Sequence, residues 1–328
     1  MIRLSTFLIT ALALSTVFVL FGTVRSATAA EPDPPRGFEV TRQDDGLTIT
    51  YEGELFARYV FSSGGKPILW PVVGPGGKEL TRGYPMRDAT ADEKADHPHH
   101  RSFFFTHGNV NGVDFWSEND KHGKTEHREL AEARGGGDAL IVTRNDWVGP
   151  DSTVHLRDER RLLFGADDDA RWIDFDITLT APDRPATFGD TKEGTFGVRV
   201  AGTMKVDAKK GGRLVNSEGQ ADGEAWGQPA KWVDYYGPVE GEVEGITIMN
   251  HPTSFRFPTY WHVRTYGLFA ANPFGLHDFP GTRDLDGSHK LEPGESINLR
   301  YRVLLHRGDT ETGRVAERYA EYEKSMKP

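Results

Sequence analysis

The sequence predicts an all-β protein in which two large antiparallel sheets pack as a sandwich and one short helix follows at the C-terminus. Apolar and polar residues alternate with a period of two, as in residues 47–51 and 173–179, which is typical of half-buried strands. Turns rich in Gly, Pro and Asp separate such segments, as at residues 74–77, 165–169 and 292–295. So many strands in one chain indicate two packed layers.

Strands are predicted in chain order wherever this alternation recurs. They cover residues 47–51, 55–61, 138–147, 153–163, 173–179, 195–203, 230–236, 243–249, 261–270 and 297–305. Only the segment 315–324 has helical spacing, with Val315, Tyr319 and Tyr322 on one stripe of a helix-forming segment. We therefore expect one short helix that lies against a sheet edge or face.

The N-terminal segment indicates export. A basic start, an apolar run over residues 7–20 and small residues at 26–30 predict a signal peptide over residues 1–30. Residues 31–36 are then an extended lead-in, and residues 37–328 a single β-sandwich domain. A retained leader that anchors the protein is the alternative. No later segment approaches the ~20 apolar residues that span a bilayer, so we expect a periplasmic or extracellular protein with no membrane span after cleavage.

The composition excludes several functions. The chain has no cysteine, so no thiol can act as nucleophile or metal ligand. The formal net charge is -10, and removal of the leader lowers the 39 bases to 37 against 49 acids, which makes it -12. A nucleic-acid or anionic-membrane partner is therefore not expected. A small-molecule or oligosaccharide substrate fits this balance.

Residues 97–116 contain a dense group of candidate site residues. His97 and His99 lie two positions apart, so their imidazoles could bind one divalent metal ion. In the alternative, these histidines hydrogen-bond to carbonyl groups and brace their loop. His99, Arg101 and His107 have the same strand parity, but ~26 Å of extended chain would separate His99 from His107. The segment must therefore contribute to a site in parts.

Aromatic and amide side chains follow in the same stretch. The three phenylalanines at 103–105 are predicted to belong to the core, since three large rings bury substantial area. Asn109, Asp114 and Trp116 combine hydrogen-bonding groups with an aromatic face, which suits sugar hydroxyls and the apolar face of a pyranose. A glycine-punctuated Asx turn that closes a hairpin is the alternative.

A second candidate group lies on the predicted strand that begins near residue 195. Phe196 and Val198 mark its buried side, which places Glu193 and Arg199 together on the other side. The two charged residues would be ~20 Å apart on a fully extended strand, so the strand must curve before both touch one ligand. A pair of solvated charges is the alternative.

A third candidate group lies in residues 250–275. His262 and Arg264 share parity on a predicted strand, His251 sits at a strand end, and Asn272 belongs to a tight Asn-Pro turn. Polar residues of an edge strand, followed by an ordinary turn, are the alternative explanation.

Three blocks together resemble one family: residues 97–101 with 107–116, residues 192–199, and residues 261–275. They are similar to secreted bacterial proteins of unknown function that are labelled the PmoA family. The resemblance implies a secreted, soluble β protein. It does not imply methane oxidation, because a methane monooxygenase subunit of that name spans the membrane several times.

A looser similarity, carried by the Pro-Gly-Glu turn at 293–295, relates the chain to galactose-mutarotase-like supersandwiches. In such enzymes a carboxylate base and a histidine acid act across a sugar ring on the concave face of a large sheet. By analogy, Glu193 would be the base, and His107 or His251 the acid. The residues expected to bind the substrate are His99, His100, Arg101, Asn109, Asp114, Trp116, Arg199, His262, Arg264 and Asn272.

These observations favour an exported carbohydrate-active enzyme that acts on a sugar or glycoside by carboxylate and histidine acid-base chemistry, as a hydrolase, lyase or epimerase. No cofactor is predicted, although a divalent metal ion is possible. One alternative is a metal-dependent lyase or oxidative enzyme that uses His97 and His99. Another is a carbohydrate-binding protein without catalysis.

Overall fold

A computed structural model describes residues 37–325, so the predicted leader and lead-in lie outside the described residues. Within this range the strands form two eight-stranded antiparallel sheets and one two-stranded sheet. No helix of the described part is long and apolar enough to cross a membrane. The predicted all-β architecture with two large sheets is confirmed.

The first sheet combines N-terminal strands with strands from the middle and late parts of the chain. In spatial order its strands are β1 (Phe38–Gln43), β2 (Gly46–Tyr51), β3 (Glu54–Ser63), β4 (Lys66–Val72), β5 (Phe103–His107), β11 (Gly194–Arg199), β16 (Leu268–Asn272) and β15 (Tyr260–Val263). The last four strands come from three distant parts of the sequence and are neighbours in space.

The second sheet contains the longer strands. In spatial order they are β12 (Arg213–Asn216), β13 (Trp232–Val239), β14 (Glu242–Asn250), β18 (Ser296–Arg307), β9 (Ala170–Thr180), β8 (Val154–Ala166), β7 (Ala139–Val148) and β6 (Lys124–Arg134). The two-stranded sheet pairs β10 (Ala186–Phe188) with β17 (His289–Leu291). The helical elements are 3₁₀ turns at Val206–Ala208, Asp222–Ala225 and Leu276–Asp278 and helix α1 (Val315–Ser325).

Aromatic side chains from both large sheets fill the space between them. The ring centroids of Phe103 on β5 and Phe175 on β9 are 5.6 Å apart, and Phe196 on β11 stacks on Tyr301 of β18 at 4.9 Å. Because side chains alternate across a strand, Phe104 points to the outer face of the first sheet. It packs there in a separate apolar cluster.

One predicted strand is wrong as a single element. The alternation over residues 261–270 is divided by a turn at 264–267 into β15 and β16. Gly267 has a left-handed backbone with φ of +100°, and the amide of Arg264 donates to the carbonyl of Leu268 at 2.7 Å. The turn therefore reverses the chain although apolar and polar residues continue to alternate through it, so the alternation did not reveal the turn. The other predicted strands are present, with ends shifted by a few residues.

Several strands lack the alternation that the sequence analysis required. β4 and β5 are mostly buried on both faces, because a second apolar cluster covers their outer side. β6 is polar and largely exposed at the sheet edge. A period-two pattern identifies strands that have one buried and one solvent-exposed face. It therefore missed both the strands that are buried on two faces and the polar edge strand.

The C-terminal helix α1 begins at Val315, as predicted. Val315, Tyr319 and Tyr322 are buried against Met249 and Leu304 of the second sheet. The prediction of a short helix that packs on a sheet face is confirmed, and the packing covers one side of the second sheet.

A buried ion pair joins three strands of the second sheet to the segment before α1. The Oδ1 atom of Asp234 on β13 lies 3.0 Å from Nε2 of His306 on β18 and accepts from Thr247 on β14 at 2.9 Å. Thr310 donates to Oδ2 at 2.5 Å. Burial alone would lower the pKa of His306, but the charge and hydrogen bond of Asp234, together with the carbonyl of Arg307 and the charge of Glu244, raise it above the ordinary value.

This raised pKa predicts a pH-dependent stability. The contribution of the pair is complete below about pH 6.5, the ordinary histidine pKa, and is lost as the pH rises through the higher folded-state value. Asp234→Asn should lower the free energy of unfolding by about 3 kcal/mol at pH 6 and by less at pH 9. Urea unfolding of both proteins at both pH values measures this, and a difference that does not change with pH would contradict it.

Candidate functional site

The three sequence blocks meet at one cavity of about 500 Å³ on the outer face of the first sheet. β5 pairs with β11, and β16 joins β11 to β15, so the strand order itself brings the blocks together. This volume is typical of small-molecule sites. The cavity is lined by His97, His99, His100, Gly108, Asp114, Trp116, Ser117, Lys192, Glu193, His262, Arg264 and Tyr266.

A larger cavity of about 650 Å³ lies beside β12 and the start of α1. Its lining contains no histidine and no residue of the three blocks. Size favours this cavity, and both cavities contain carboxylates and aromatic rings, whereas only the smaller one of the two is lined by histidines, four in number. Chemistry depends on such groups, so we take the 500 Å³ cavity as the candidate site.

The floor of the candidate site is apolar. Phe104, Trp116 and Leu268 belong to the outer cluster of the first sheet. A Cβ atom on Gly197 would lie 2.6 Å from Cζ of Phe104. Glycine at this position therefore lets the Phe104 ring lie across β11 under the site.

The loop that carries three of the histidines is held by the buried Arg82. Its guanidinium donates to the carbonyl oxygens of Asp96 at 3.0 Å, His97 at 2.8 Å and His100 at 3.2 Å, and to the Asp96 carboxylate at 3.1 Å. The sequence analysis missed Arg82 because it lies outside the three blocks. Its contacts hold the loop in position, and Arg82 itself does not line the cavity.

Arg199 supports the same loop from β11. Its Nη1 donates to Nδ1 of His100 at 3.0 Å, and its guanidinium lies 4.8 Å from the ring centroid of Tyr266. Because a guanidinium only donates, the proton of His100 is on Nε2. Burial, then the charges of His99 and Arg199, lowers the pKa of His100 well below its usual value. The predicted substrate-binding residue Arg199 therefore orients His100 and Tyr266.

The rings of His97, His99 and His100 pack against one another. His97 stacks between His100, at a centroid distance of 4.9 Å, and Tyr266 at 5.4 Å. The ring of His99 is edge-on to His100 at 4.4 Å and lies 6.2 Å from Trp116. Burial, then the charge of Lys66, lowers the pKa of His99 to about 4, so it is neutral at neutral pH.

A metal ion would need more ligands than the pair His97 and His99. Their ring centroids are 5.7 Å apart. Within residues 37–325, no group of three or more His, Asp or Glu side chains is arranged to hold a metal ion. Metal binding by this pair stays a prediction.

His262 is buried on β15, beside the segment that carries Glu193. Its Nδ1 lies 2.7 Å from the carbonyl oxygen of Lys192. Because a carbonyl only accepts, the proton is on Nδ1 and the lone pair is on Nε2. Burial lowers the pKa of His262 to about 4, and the Glu193 carboxylate opposes this shift more than any other group does.

Glu193 is the carboxylate of the site that keeps substantial exposure. Its side chain is 37% exposed, and Lys192 donates to its Oε1 atom at 2.9 Å. The backbone amide of Gly108 donates to its carbonyl at 2.6 Å, and a Cβ on Gly108 would lie 2.8 Å from Cβ of Glu193. This close approach fixes the backbone from which the carboxylate projects.

Asp114 lines the cavity, but its carboxylate is occupied. Oδ1 accepts from the backbone amides of Trp116 at 2.8 Å and Ser117 at 3.0 Å, and Oδ2 accepts from the Ser117 hydroxyl. This is an Asx turn, and the glycine-punctuated one given as the alternative is its neighbour, in which Asn109 accepts from the amide of Gly112. The turn at Asp114 holds Trp116 in the wall of the cavity.

Besides Arg199, three further predicted substrate-binding residues are not in the lining and brace neighbouring segments. Arg101 makes a bidentate pair with Glu118, with both contacts at 2.7 Å. Asn109 accepts from the amide of Gly112 at 2.9 Å in a turn. Asn272 donates to the carbonyl of Thr191 at 2.9 Å, two residues before Glu193.

The two histidines predicted as acids lie away from the cavity. His107 is fully buried on the inner side of β5, where Nε2 donates to the carbonyl of Gly189 at 2.8 Å. His251 packs against the ring of Tyr322 on α1 and contacts the hydroxyl of Thr253 at 2.8 Å. Strand parity places His107 with Phe105 in the core, so neither histidine is positioned as the partner of Glu193.

These features describe a two-sheet β-sandwich with a histidine-rich cavity on one sheet. Residues 46–320 match the model of DUF6807, a family of unknown function, and the chain belongs to that family. The resemblance to proteins labelled PmoA stays a prediction. A search of curated proteins found no match.

Solved structures include several that are similar to this chain. A galactose mutarotase-like protein from Clostridium acetobutylicum is 10% identical, with 83% of this chain and 98% of that chain covered and a TM-score of 0.40. A galactose mutarotase related enzyme from Lactobacillus acidophilus is 8% identical over 83% and 98% of the two chains, with a TM-score of 0.37.

A family 36 α-galactosidase from Geobacillus stearothermophilus is 10% identical, with a TM-score of 0.39. The similarity covers 83% of this chain but only 40% of the α-galactosidase. These likenesses assign no ligand and no reaction to this protein.

The geometry of His262 predicts its titration. Its imidazole should be neutral, with the proton on Nδ1, at every pH above about 5, because its pKa is about 4. Glu193→Gln should lower this pKa further, since the carboxylate favours the charged ring. Two-dimensional ¹H–¹⁵N NMR of the histidine rings measures both properties. A midpoint near the ordinary value of about 6.5, or a proton on Nε2, would contradict the described geometry.

Proposed function

We propose that this protein is an exported enzyme that transfers a proton on a sugar or glycoside, with His262 and Glu193 as the acid-base pair. The observation that carries the proposal is the hydrogen bond from His262 to the carbonyl of Lys192. It leaves the Nε2 lone pair of a neutral imidazole as a proton acceptor. His262 and Glu193 line the same cavity.

The two groups have complementary roles. Nε2 of His262 takes the proton from the substrate, and the Glu193 carboxylate stabilises the imidazolium that forms, as its influence on the pKa of His262 indicates. The imidazolium then returns the proton to the product. Glu193 thus supports the histidine and is not required to take the proton itself, which differs from the base role that the sequence analysis expected.

The walls of the cavity support a sugar as the ligand. Tyr266 is partly exposed and supplies aromatic surface for the apolar side of a pyranose, whereas Trp116 lines the cavity with 2% of its surface exposed. The neutral and partly exposed ring of His99 supplies hydrogen-bonding groups for hydroxyls, while His100 is 1% exposed and its Nδ1 accepts from Arg199. The site therefore combines both kinds of contact that a sugar needs.

The carboxylates favour proton transfer over two-carboxylate glycoside hydrolysis. Such hydrolysis uses a pair of carboxyl groups on either side of the scissile bond. The carboxylates in the lining are Glu193 and Asp114, and Asp114 is saturated by two amides and a hydroxyl. Elimination needs one proton acceptor with a stabilising charge, and the site offers this set; epimerisation needs in addition a proton from water on the opposite face of the sugar.

Export is part of the proposal and rests on the sequence of the leader, with its apolar run over residues 7–20 and small residues at 26–30. It places the enzyme in the periplasm or outside the cell, where sugars and glycans from the surroundings would be its substrates. The mass of the protein secreted by its host, compared with that of the full chain, measures the cleavage.

Substitution of either catalytic group should abolish turnover without unfolding the protein. Glu193→Gln and His262→Gln should each lower kcat on a responsive sugar by about 10²- to 10⁴-fold, because each removes one part of the acid-base pair. NMR spectra of a sugar and glycoside panel in D₂O follow both product formation and exchange of carbon-bound hydrogen. Glu292→Gln is the matched control, because Glu292 also pairs with a lysine, at 2.7 Å, but is exposed outside the cavity.

Two outcomes would overturn the proposal. Turnover that stays within tenfold of wild type in both variants would exclude the pair as the catalytic groups. Sugar binding with no product and no exchange in the wild-type protein would instead indicate a carbohydrate-binding protein.

His107→Ala should lower stability and leave kcat of the folded protein largely intact, since His107 is buried away from the cavity.

A further inference from the structure

The cations around the candidate site differ in how their charge is balanced. Lys192 pairs with Glu193 at 2.9 Å, and the buried Lys66 pairs with Glu118 at 2.8 Å. The guanidinium of Arg199 lies 3.5 Å from the carboxylate of Asp96. These three side chains are therefore matched by acids.

Arg264 lines the cavity and differs from them. Among residues 37–325, its guanidinium makes no salt bridge and no side-chain hydrogen bond. It lies instead 5.3 Å from the ring centroid of Trp226 and 5.6 Å from that of Tyr266. Contact with aromatic faces holds a guanidinium in place. Its N–H donors lie in the guanidinium plane and stay free for another partner.

The backbone of Arg264 is fixed as well. Its amide donates to the carbonyl of Leu268 at 2.7 Å, and its carbonyl accepts from Gly267 at 2.9 Å, in the turn between β15 and β16. The side chain is half-buried. A half-buried guanidinium that pairs with no acid of the described part of a chain with formal net charge -10 indicates a partner that comes from outside the chain.

We infer that the ligand of the site is an acidic saccharide whose carboxylate binds Arg264. This inference rests on the proposed function and narrows its substrate class. A guanidinium binds a carboxylate through two parallel hydrogen bonds, and a neutral sugar has no group that matches this geometry or charge. Sulfate esters share the anionic oxygens, and the experiment below separates the two sources.

A carboxylate at Arg264 also explains how a neutral histidine could take a proton from carbon. The C–H bond next to the carboxylate breaks, its proton moves to Nε2 of His262, and its electron pair spreads into the carboxylate. The charge of Arg264 stabilises that anion. The electron pair then has two fates. It takes a proton from water on the opposite face, which inverts the carbon, and His262 passes its proton to the hydroxide that is left; or it forms a C=C bond while the neighbouring C–O bond breaks. In the second case the leaving oxygen takes the proton.

Calorimetric titration tests the inference on the complete folded protein. The probes are methyl glycosides of glucose, galactose and mannose, the corresponding uronates, and the corresponding 6-sulfates. At least one uronate should bind at least tenfold more tightly than its neutral parent. Arg264→Met should remove this preference, and Arg264→Lys should retain part of it, because lysine keeps the charge but not the planar fork.

Arg157→Met is the matched control for loss of one positive charge. Its side chain is 55% exposed on β8, away from the cavity, so the preference for the uronate should persist. Thermal unfolding of all variants identifies any effect of misfolding, and the lysine variant keeps the test valid if Arg264→Met is unstable.

The outcomes separate the two proposals. If uronates and neutral sugars bind alike, or if a 6-sulfate binds more tightly than the uronate, the carboxylate assignment is wrong. Turnover that depends on Glu193 and His262 would then still support the proposed enzyme. Uronate binding that depends on Arg264, without turnover by the wild-type protein, would support the ligand class and exclude the proposed catalysis.

Discussion

The hydrogen bond from Nδ1 of His262 to the carbonyl oxygen of Lys192 is the contact on which the candidate site depends. It joins the edge strand β15 to the segment that carries Glu193, and it fixes which ring nitrogen holds the lone pair. Strand order makes the bond possible, because β11, β16 and β15 are neighbours in the first sheet. The fold thus sets the protonation state of the group proposed to react.

The rest of the site has a common electrostatic design. Cations behind the wall, such as Arg82 and Arg199, bind the loop of residues 96–100 through carbonyl, carboxylate and imidazole groups. His100 is buried and His99 is partly buried, both lie near positive charge, and both stay neutral. Neutral donors and acceptors suit hydroxyl groups, while Arg264, which has no acidic partner among residues 37–325, suits an anion at one side of the cavity.

The sequence allowed much of this arrangement to be predicted, and the misses have physical causes. Period-two parity correctly placed His262 and Arg264 on one side, although a turn divides their segment. The same parity rule was applied to His107 without a known strand boundary, and β5 directs that ring into the core. Arg82 acts through single long-range contacts, which leave no local pattern in a sequence.

A double-substitution cycle tests most directly whether His262 and Glu193 work as one unit. The measurement is kcat/KM of the wild-type protein, of Glu193→Gln, of His262→Gln and of the double variant on the same sugar. If the carboxylate acts only through the imidazolium, the double variant should be no slower than His262→Gln alone. Losses that multiply in the double variant would show two independent groups and contradict the account.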